Sequence, residues 1–191
     1  MSGGKYARVE RERRFLLEAL PDGTPSGAVR SIVDRYVTGT RLRLRQVTDE
    51  GTGAREYKFT QKIPADRPGP VQGLITNTYL SRAEYDVLAA LPAATLRKAR
   101  HSLPPFGVDV FEPPLHGLVL AEAEFGTDEE MLAFTPGIEV VAEVTADPRF
   151  TGGRLARTSR EELLAWLAEF GLAVEPARPP DPVPWIQRHR G

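Results

Sequence analysis

The sequence contains no cysteine, which excludes a disulfide scaffold, a thiolate metal site and a cysteine nucleophile. Histidines number only 3, and none stands at the spacing of paired metal ligands. No apolar run approaches the ~20 residues that span a bilayer, so no membrane partner is expected. A surplus of one charge is lacking too, with 25 Lys plus Arg against 26 Asp plus Glu in 191 residues. With no global field to draw nucleic acid or a membrane surface, any polyanion must be held by a local cluster of cations. The first residues, Met-Ser-Gly-Gly-Lys, pass into charged sequence without an apolar signal region. A cytoplasmic protein is expected.

This length suits one domain with its own core, expected over residues 1–172, with a Pro-rich tail over 173–191 that is extended or disordered. Residues 8–17 fit strand or helix. Strands are expected over 29–38, 41–47, 55–62, 72–79, 95–103, 106–112, 117–125 and 138–145. Loops are expected over 21–27 and 65–70, the second mobile. Three capping boxes, Ser81 with Glu84, Thr127 with Glu130 and Ser159 with Glu162, each open a helix. The first would pack Tyr85, Val87, Leu88 and Leu91, and Pro92 closes it. The last would pack Leu163, Leu164, Trp166 and Leu167 and end at Gly171. About eight strands with three helices, without internal repeat or strand–helix alternation, predict an α+β fold.

The strands carry charge on one face. Side chains at i, i+2 and i+4 of a strand share a face, so Arg41, Arg43 and Arg45 point one way and Leu42 and Leu44 the other. Lys58, Thr60 and Lys62 oppose Tyr57 and Phe59. Glu10, Glu12 and Arg14 form a third set, Lys98 and Arg100 a fourth, Glu122 and Glu124 a fifth. One such strand reads as the solvated face of a half-buried sheet. Five of them, sorted by sign, favour a closed antiparallel barrel whose lumen is polar and whose apolar faces pack outward against the helices. Carboxylates there would hold a hard, oxygen-seeking cation, and arginine forks and lysine charges would take the oxygens of a polyanion.

These residues resemble the CYTH domain, the triphosphate tunnel metalloenzymes. Glu10-Arg-Glu12-Arg-Arg14 is similar to the family's E-x-E-x-K signature. Leu42-Arg43-Leu-Arg45-Gln resembles its paired-arginine strand, Phe59-Thr60-Gln-Lys62 its lysine strand and Lys98-Ala-Arg100-His101 its K-x-R-[YH] strand. Val108-Asp109-Val-Phe111 resembles D-V-F, Leu120-Ala-Glu122-Ala-Glu124-Phe125 the E-x-E strand, and Glu143-Val-Thr-Ala-Asp147-Pro-Arg149-Phe150 the closing motif. The motifs occur in family order from about residue 8 to 157. Three positions depart from the pattern. Arg14 stands for lysine, Ile75-Thr-Asn77-Thr-Tyr occupies a strand that carries glutamates in many members, and Thr151-Gly-Gly153 replaces an asparagine-containing turn.

The resemblance implies an eight-stranded antiparallel tunnel with a charged lumen and peripheral helices, and hydrolysis of a small-molecule triphosphate with Mg²⁺ or Mn²⁺. Glu10, Glu12, Glu122 and Glu124 match the metal-holding, catalytic carboxylates. Arg14, Arg43, Arg45, Lys62, Lys98 and Arg100 match the phosphate-binding set, to which face parity adds Arg41 and Lys58. Asp109 reads equally as a lumen residue or as the partner of a neighbouring cation. Glu143, Asp147 and the three histidines read as structural or surface residues. Inorganic tripolyphosphate is favoured over nucleoside or thiamine triphosphate, because no aromatic slot for a base stands out. The alternatives are a class IV-type adenylate cyclase and a polyphosphate- or nucleotide-binding module without turnover. Processing of RNA 5′-triphosphates ranks behind these, because near-neutral charge gives an RNA strand little to follow.

Overall fold

The computed structural model of the protein describes residues 6–25, 29–65 and 71–173. All but the first residue of the expected tail, and parts of the two expected loops, lie outside these. Eight strands, β1 (Arg8–Leu17), β2 (Val29–Val37), β3 (Leu42–Asp49), β4 (Arg55–Pro64), β5 (Val71–Leu80), β6 (Ala93–Leu103), β7 (Phe106–Phe111) and β8 (Val119–Glu124), pair antiparallel in the order β5-β4-β3-β2-β6-β7-β8-β1. The pairing of β1 with β5 closes the ring. Closure leaves the eight strands without a free edge along the ring. The segment that fits strand or helix on pattern alone is therefore strand, paired on both sides.

The strand expected over 138–145 shrinks to β9 (Ala142–Glu143). Phe15 pairs with Glu143 and Leu16 with Ala142, a register that would set residues 138–141 opposite positions 17–20, but β1 ends at Leu17 and leaves most of them without a partner strand. At the other end the Arg14 backbone N–H donates to Thr145 Oγ1 instead of continuing the ladder. The register shift in β1 falls between Glu10 and Arg11, where Gly73 of β5 adopts φ 131°. A Cβ at Gly73 would run into the backbone of Ile63 to Ala65, so glycine is required there.

The three capping boxes form as expected, opening α1 (Arg82–Leu88), α2 (Asp128–Ala133) and, later, α4 (Arg160–Glu169). A 3₁₀ turn over Pro148–Phe150 and the short α3 (Gly152–Leu155) lie between α2 and α4. Outside the barrel, Leu44 and Tyr57 pack under Tyr85 and Leu88 of α1. Val87, expected on that face, is 74% exposed, and Leu91 is exposed as well. Two residues on from Tyr85, a helix has turned Val87 to the opposite side. A second outer layer joins Phe15, Phe106, Val108 and Ala121 to Phe134, Ile138 and Val140.

The third cluster is inside the ring. Leu16, Leu96, Phe111 and Leu120 share the faces of Arg14, Lys98, Asp109 and Glu122, yet they pack with Phe150, Leu155, Leu163 and Leu167. The inward face is thus charged along part of its length and apolar at one end, where α4 supplies the filling. Each buried Leu or Phe there contributes about 1.5–3 kcal/mol. Among the described residues no helix is long and apolar enough to cross a membrane.

Candidate active site

Residues directly opposite in an antiparallel pair lie on one face, so the register identifies what lines the interior. Asp34 of β2 faces Arg45 of β3, and Tyr36 faces Arg43. Asp34 is 1% exposed. Arg45 donates from Nε and Nη2 to its two oxygens at 2.6 and 2.7 Å, and Arg43 Nε stands 3.7 Å away. Burial alone would raise the Asp34 carboxyl, but Arg45 and Arg43 outweigh it and hold it at about 2. Arg43 also donates to Thr60 Oγ1 at 3.3 Å, which donates to Asn77 Oδ1 at 2.7 Å. Burial and then Asp34 push the Tyr36 hydroxyl up to about 12.

A matching arrangement lies on β6 and β7. Asp109 is fully buried. It accepts from Lys98 Nζ and, at 2.6 Å each, from Arg100 Nε and Nη2. Arg100 Nη2 reaches on to Glu122 of β8. Its path crosses Gly107, where a Cβ would stand 3.1 Å from Arg100 Cδ and 3.2 Å from Nε. Glycine gives the arginine room to lie across the strand. Burial would raise Glu122, but Lys98, Arg100, Arg14 and Lys62 pull it well below the usual carboxylate range.

β1 supplies the third group. Lys62 of β4 donates to Glu10 at 2.6 Å. Arg14 Nε lies 3.1 Å from Glu12, and its Nη1 donates to the Phe150 carbonyl at 2.7 Å. Its Nη2 is 3.4 Å from the Thr145 carbonyl. A lysine, with one nitrogen, would not span these three acceptors, which explains the arginine in physical terms. Glu12 is pushed up to about 7, by burial first and then by Glu122, against Lys62 and Arg14.

Of the residues expected in the site, Glu10, Glu12, Arg14, Arg43, Arg45, Lys62, Lys98, Arg100 and Glu122 come together. Glu124 lies opposite Glu12 but is exposed at the end of β8. Lys58 pairs with Glu56 at 2.8 Å and sits 5.1 Å from the Tyr79 ring centroid. Arg41 is a correction. β3 begins at Leu42, and Arg41 is an exposed residue of the preceding turn. Asp109 is both lumen residue and ion-pair partner. Glu143 and Asp147 pair with Arg13 and Arg149, as structural residues should.

Sequence reasoning missed Asp34. The period of two in Ile32-Val-Asp34-Arg-Tyr36 places it on one face with Ile32 and Tyr36, but a single acid in a strand is no signal of an interior. It also missed Gly107 and Gly152. A Cβ at Gly152 would collide with the Tyr36 hydroxyl, which accounts for glycine in the turn where the family carries asparagine.

Among the described residues, no three acidic or histidine side chains stand in a geometry ready to hold a metal, because cations engage the interior glutamates. The donor chemistry nonetheless fits one. Glu10 and Glu122 both raise the half-buried Glu12, so two further hard-oxygen donors lie within electrostatic reach of that carboxylate.

The chain is 31% identical over 167 residues to an inorganic triphosphatase of Nitrosomonas europaea, covering 78% of this chain and 97% of that protein. The chain belongs to the CYTH family of triphosphate tunnel metalloenzymes. A solved structure of an inorganic triphosphatase matches this CYTH domain with a TM-score of 0.51 at 28% identity, over 79% of this chain and 96% of that one. A second, described as a hypothetical protein, matches with 0.51 at 29%, over 78% and 99%. No family model matches the sequence.

Proposed function

We propose that this CYTH domain hydrolyses a triphosphate, inorganic tripolyphosphate in preference to nucleoside or thiamine triphosphate, with Mg²⁺ or Mn²⁺. The observation that carries the reading is the meeting of Arg43, Arg45, Lys62, Lys98 and Arg100 with Glu10, Glu12 and Glu122 in one barrel interior. Glu10, Glu12 and Glu122 would hold the metal, with Glu124 at the rim. A divalent cation held by these carboxylates would supply Lewis-acid chemistry, neutralising phosphate charge and activating water. The arginines and lysines bind and orient the phosphate oxygens and stabilise charge as it develops. Phosphate draws Lys62 from Glu10 and Arg100 from Glu122, which frees both carboxylates.

The preference for tripolyphosphate rests on the wall itself. Among the described residues, its aromatic members are Tyr36, which is half-buried and packs against the inner apolar cluster, Phe111, which is part of that cluster, and Tyr79, whose ring lies beside Lys58. None of them makes a slot for a base. A chain without cysteine suits the cytoplasm, the location we assign to it.

One observation favours a second reading, a binding module without turnover. The inward positions of β5 opposite Lys62, Thr60 and Lys58 are Ile75, Asn77 and Tyr79, so this strand adds no carboxylate there. Phosphate release from tripolyphosphate, ATP and thiamine triphosphate, each with Mg²⁺ or Mn²⁺, separates the readings. Metal-dependent release, fastest from tripolyphosphate, is expected. Binding without release would favour the module, and cyclic AMP with pyrophosphate would point to the cyclase.

A further inference from the structure

We propose that Asp34 is a positioning residue that fixes the Arg45 guanidinium for phosphate, an inference that rests on the triphosphatase reading. The geometry is specific. Arg45 meets Asp34 side-on, through Nε and Nη2 at 2.6 and 2.7 Å. A guanidinium has five N–H donors in a rigid plane, so this contact occupies two along one side. Of the three that remain, the second N–H of Nη2 and the adjacent N–H of Nη1 point off the end of the group as a fork for two oxygens of one phosphate.

Arg100 is held the same way by Asp109, through the same two nitrogens at 2.6 Å each. The interior therefore contains two side-on clamps, one on β2 and β3 and one on β6 and β7. Each has its carboxylate almost wholly buried. An acid among phosphate-binding cations weakens their attraction for an anion, so attraction alone does not explain it. Asp34 is flanked by the charges of Arg45, Arg43 and Lys98. Without it these cations repel one another, and Arg45 regains the rotamer freedom of a long side chain. Asp34 thus trades some anion affinity for a fixed fork, and misplacing a positioning group by about 1 Å costs on the order of 100-fold in rate.

The test is a double-mutant cycle of Asp34→Asn and Arg45→Lys in the full chain, read as kcat and KM for tripolyphosphate with Mg²⁺ or Mn²⁺. Asp34→Asn should lower kcat by about 10- to 100-fold while KM stays level or falls, because a negative charge has been removed. In the Arg45→Lys background, which already lacks the fork, the same change should cost less than about threefold. A merely structural role would add its cost in either background, so the coupling in kcat, and not the thermal midpoint, separates the two. Unchanged kcat in Asp34→Asn, or full additivity, overturns the inference and leaves the activity standing. A wild-type chain inert towards every triphosphate overturns both. Should Asp34→Asn fail to fold, Asp34→Glu keeps the charge and displaces the carboxylate by one methylene. Unchanged kcat there overturns the inference, and a fall of about 10-fold supports it.

Discussion

The interior holds its cations in two different ways. On β2, β3, β6 and β7, Arg45, Lys98 and Arg100 are tied to aspartates that are 1% and 0% exposed. Between β1 and β4, Lys62 meets Glu10 with side chains 40% and 15% exposed. The aspartates are too short and too deep to follow a ligand, and water cannot take their place. The glutamate pair is longer, wetter and open to exchange. One part of the wall is therefore preorganised, and the other can surrender its partner when phosphate and metal arrive.

Four experiments would sharpen or break this contrast. Asp109→Asn should produce the largest effect, about 3–5 kcal/mol of lost stability, since it leaves Lys98 and Arg100 buried beside a neutral group. Chemical denaturation measures it, and a loss below about 1 kcal/mol would mean that the clamp does not hold the wall together. Glu122→Ala should cost at least about 100-fold in kcat, roughly 3 kcal/mol of barrier. Its denaturation midpoint should remain near wild type, because Arg100 keeps Asp109. Intact turnover would remove Glu122 from the chemistry.

The third experiment is a pH titration of stability. Asp34 titrates near 3.8 unfolded and about 2 folded, so the unfolded chain binds the proton more tightly. The stabilisation is complete above about pH 4 and is lost as pH falls towards 2, amounting to about 2 kcal/mol. Asp34→Asn should flatten the denaturation profile in that window, and an unchanged profile would contradict the clamp. Lys62→Ala should have the smallest effect on folding, below about 1 kcal/mol for a pair this exposed, while KM for tripolyphosphate rises severalfold. A large stability loss would place Lys62 with the fixed cations and erase the distinction.

The contrast also marks where the sequence was legible. Strand periodicity placed Arg43, Arg45, Lys62, Lys98, Arg100 and Glu122 on one face of their strands, because charge alternating with Leu, Phe or Ala is a local signal, whereas Glu10 and Glu12 lie in a run of charges that fits strand or helix, and only the resemblance to the family signature singled them out. Capping boxes located three helices for the same reason. Arg41 obeyed the same parity yet lies outside, because parity cannot tell where a strand begins. Asp34 was hidden, since its meaning comes from Arg45, eleven positions away across a strand pair. The apolar end of the lumen was hidden as well. Leu16, Leu96, Phe111 and Leu120 continue charged faces, and only the approach of Leu163 and Leu167 makes them core. The strand expected over 138–145 shortened because β1 ends at Leu17, before it could pair the first half of that segment.

The central claim, that these charges are arranged around a bound triphosphate, is tested most directly by a crystal structure with imidotriphosphate and Mn²⁺, the metal located by anomalous scattering. The account expects phosphate oxygens on Arg43, Arg45, Lys62, Lys98 and Arg100, manganese on Glu10, Glu12 and Glu122, Lys62 released from Glu10, and the Asp34–Arg45 contact unchanged. An analogue bound on the outer surface, or an interior still closed by its own ion pairs at saturating ligand, would contradict it.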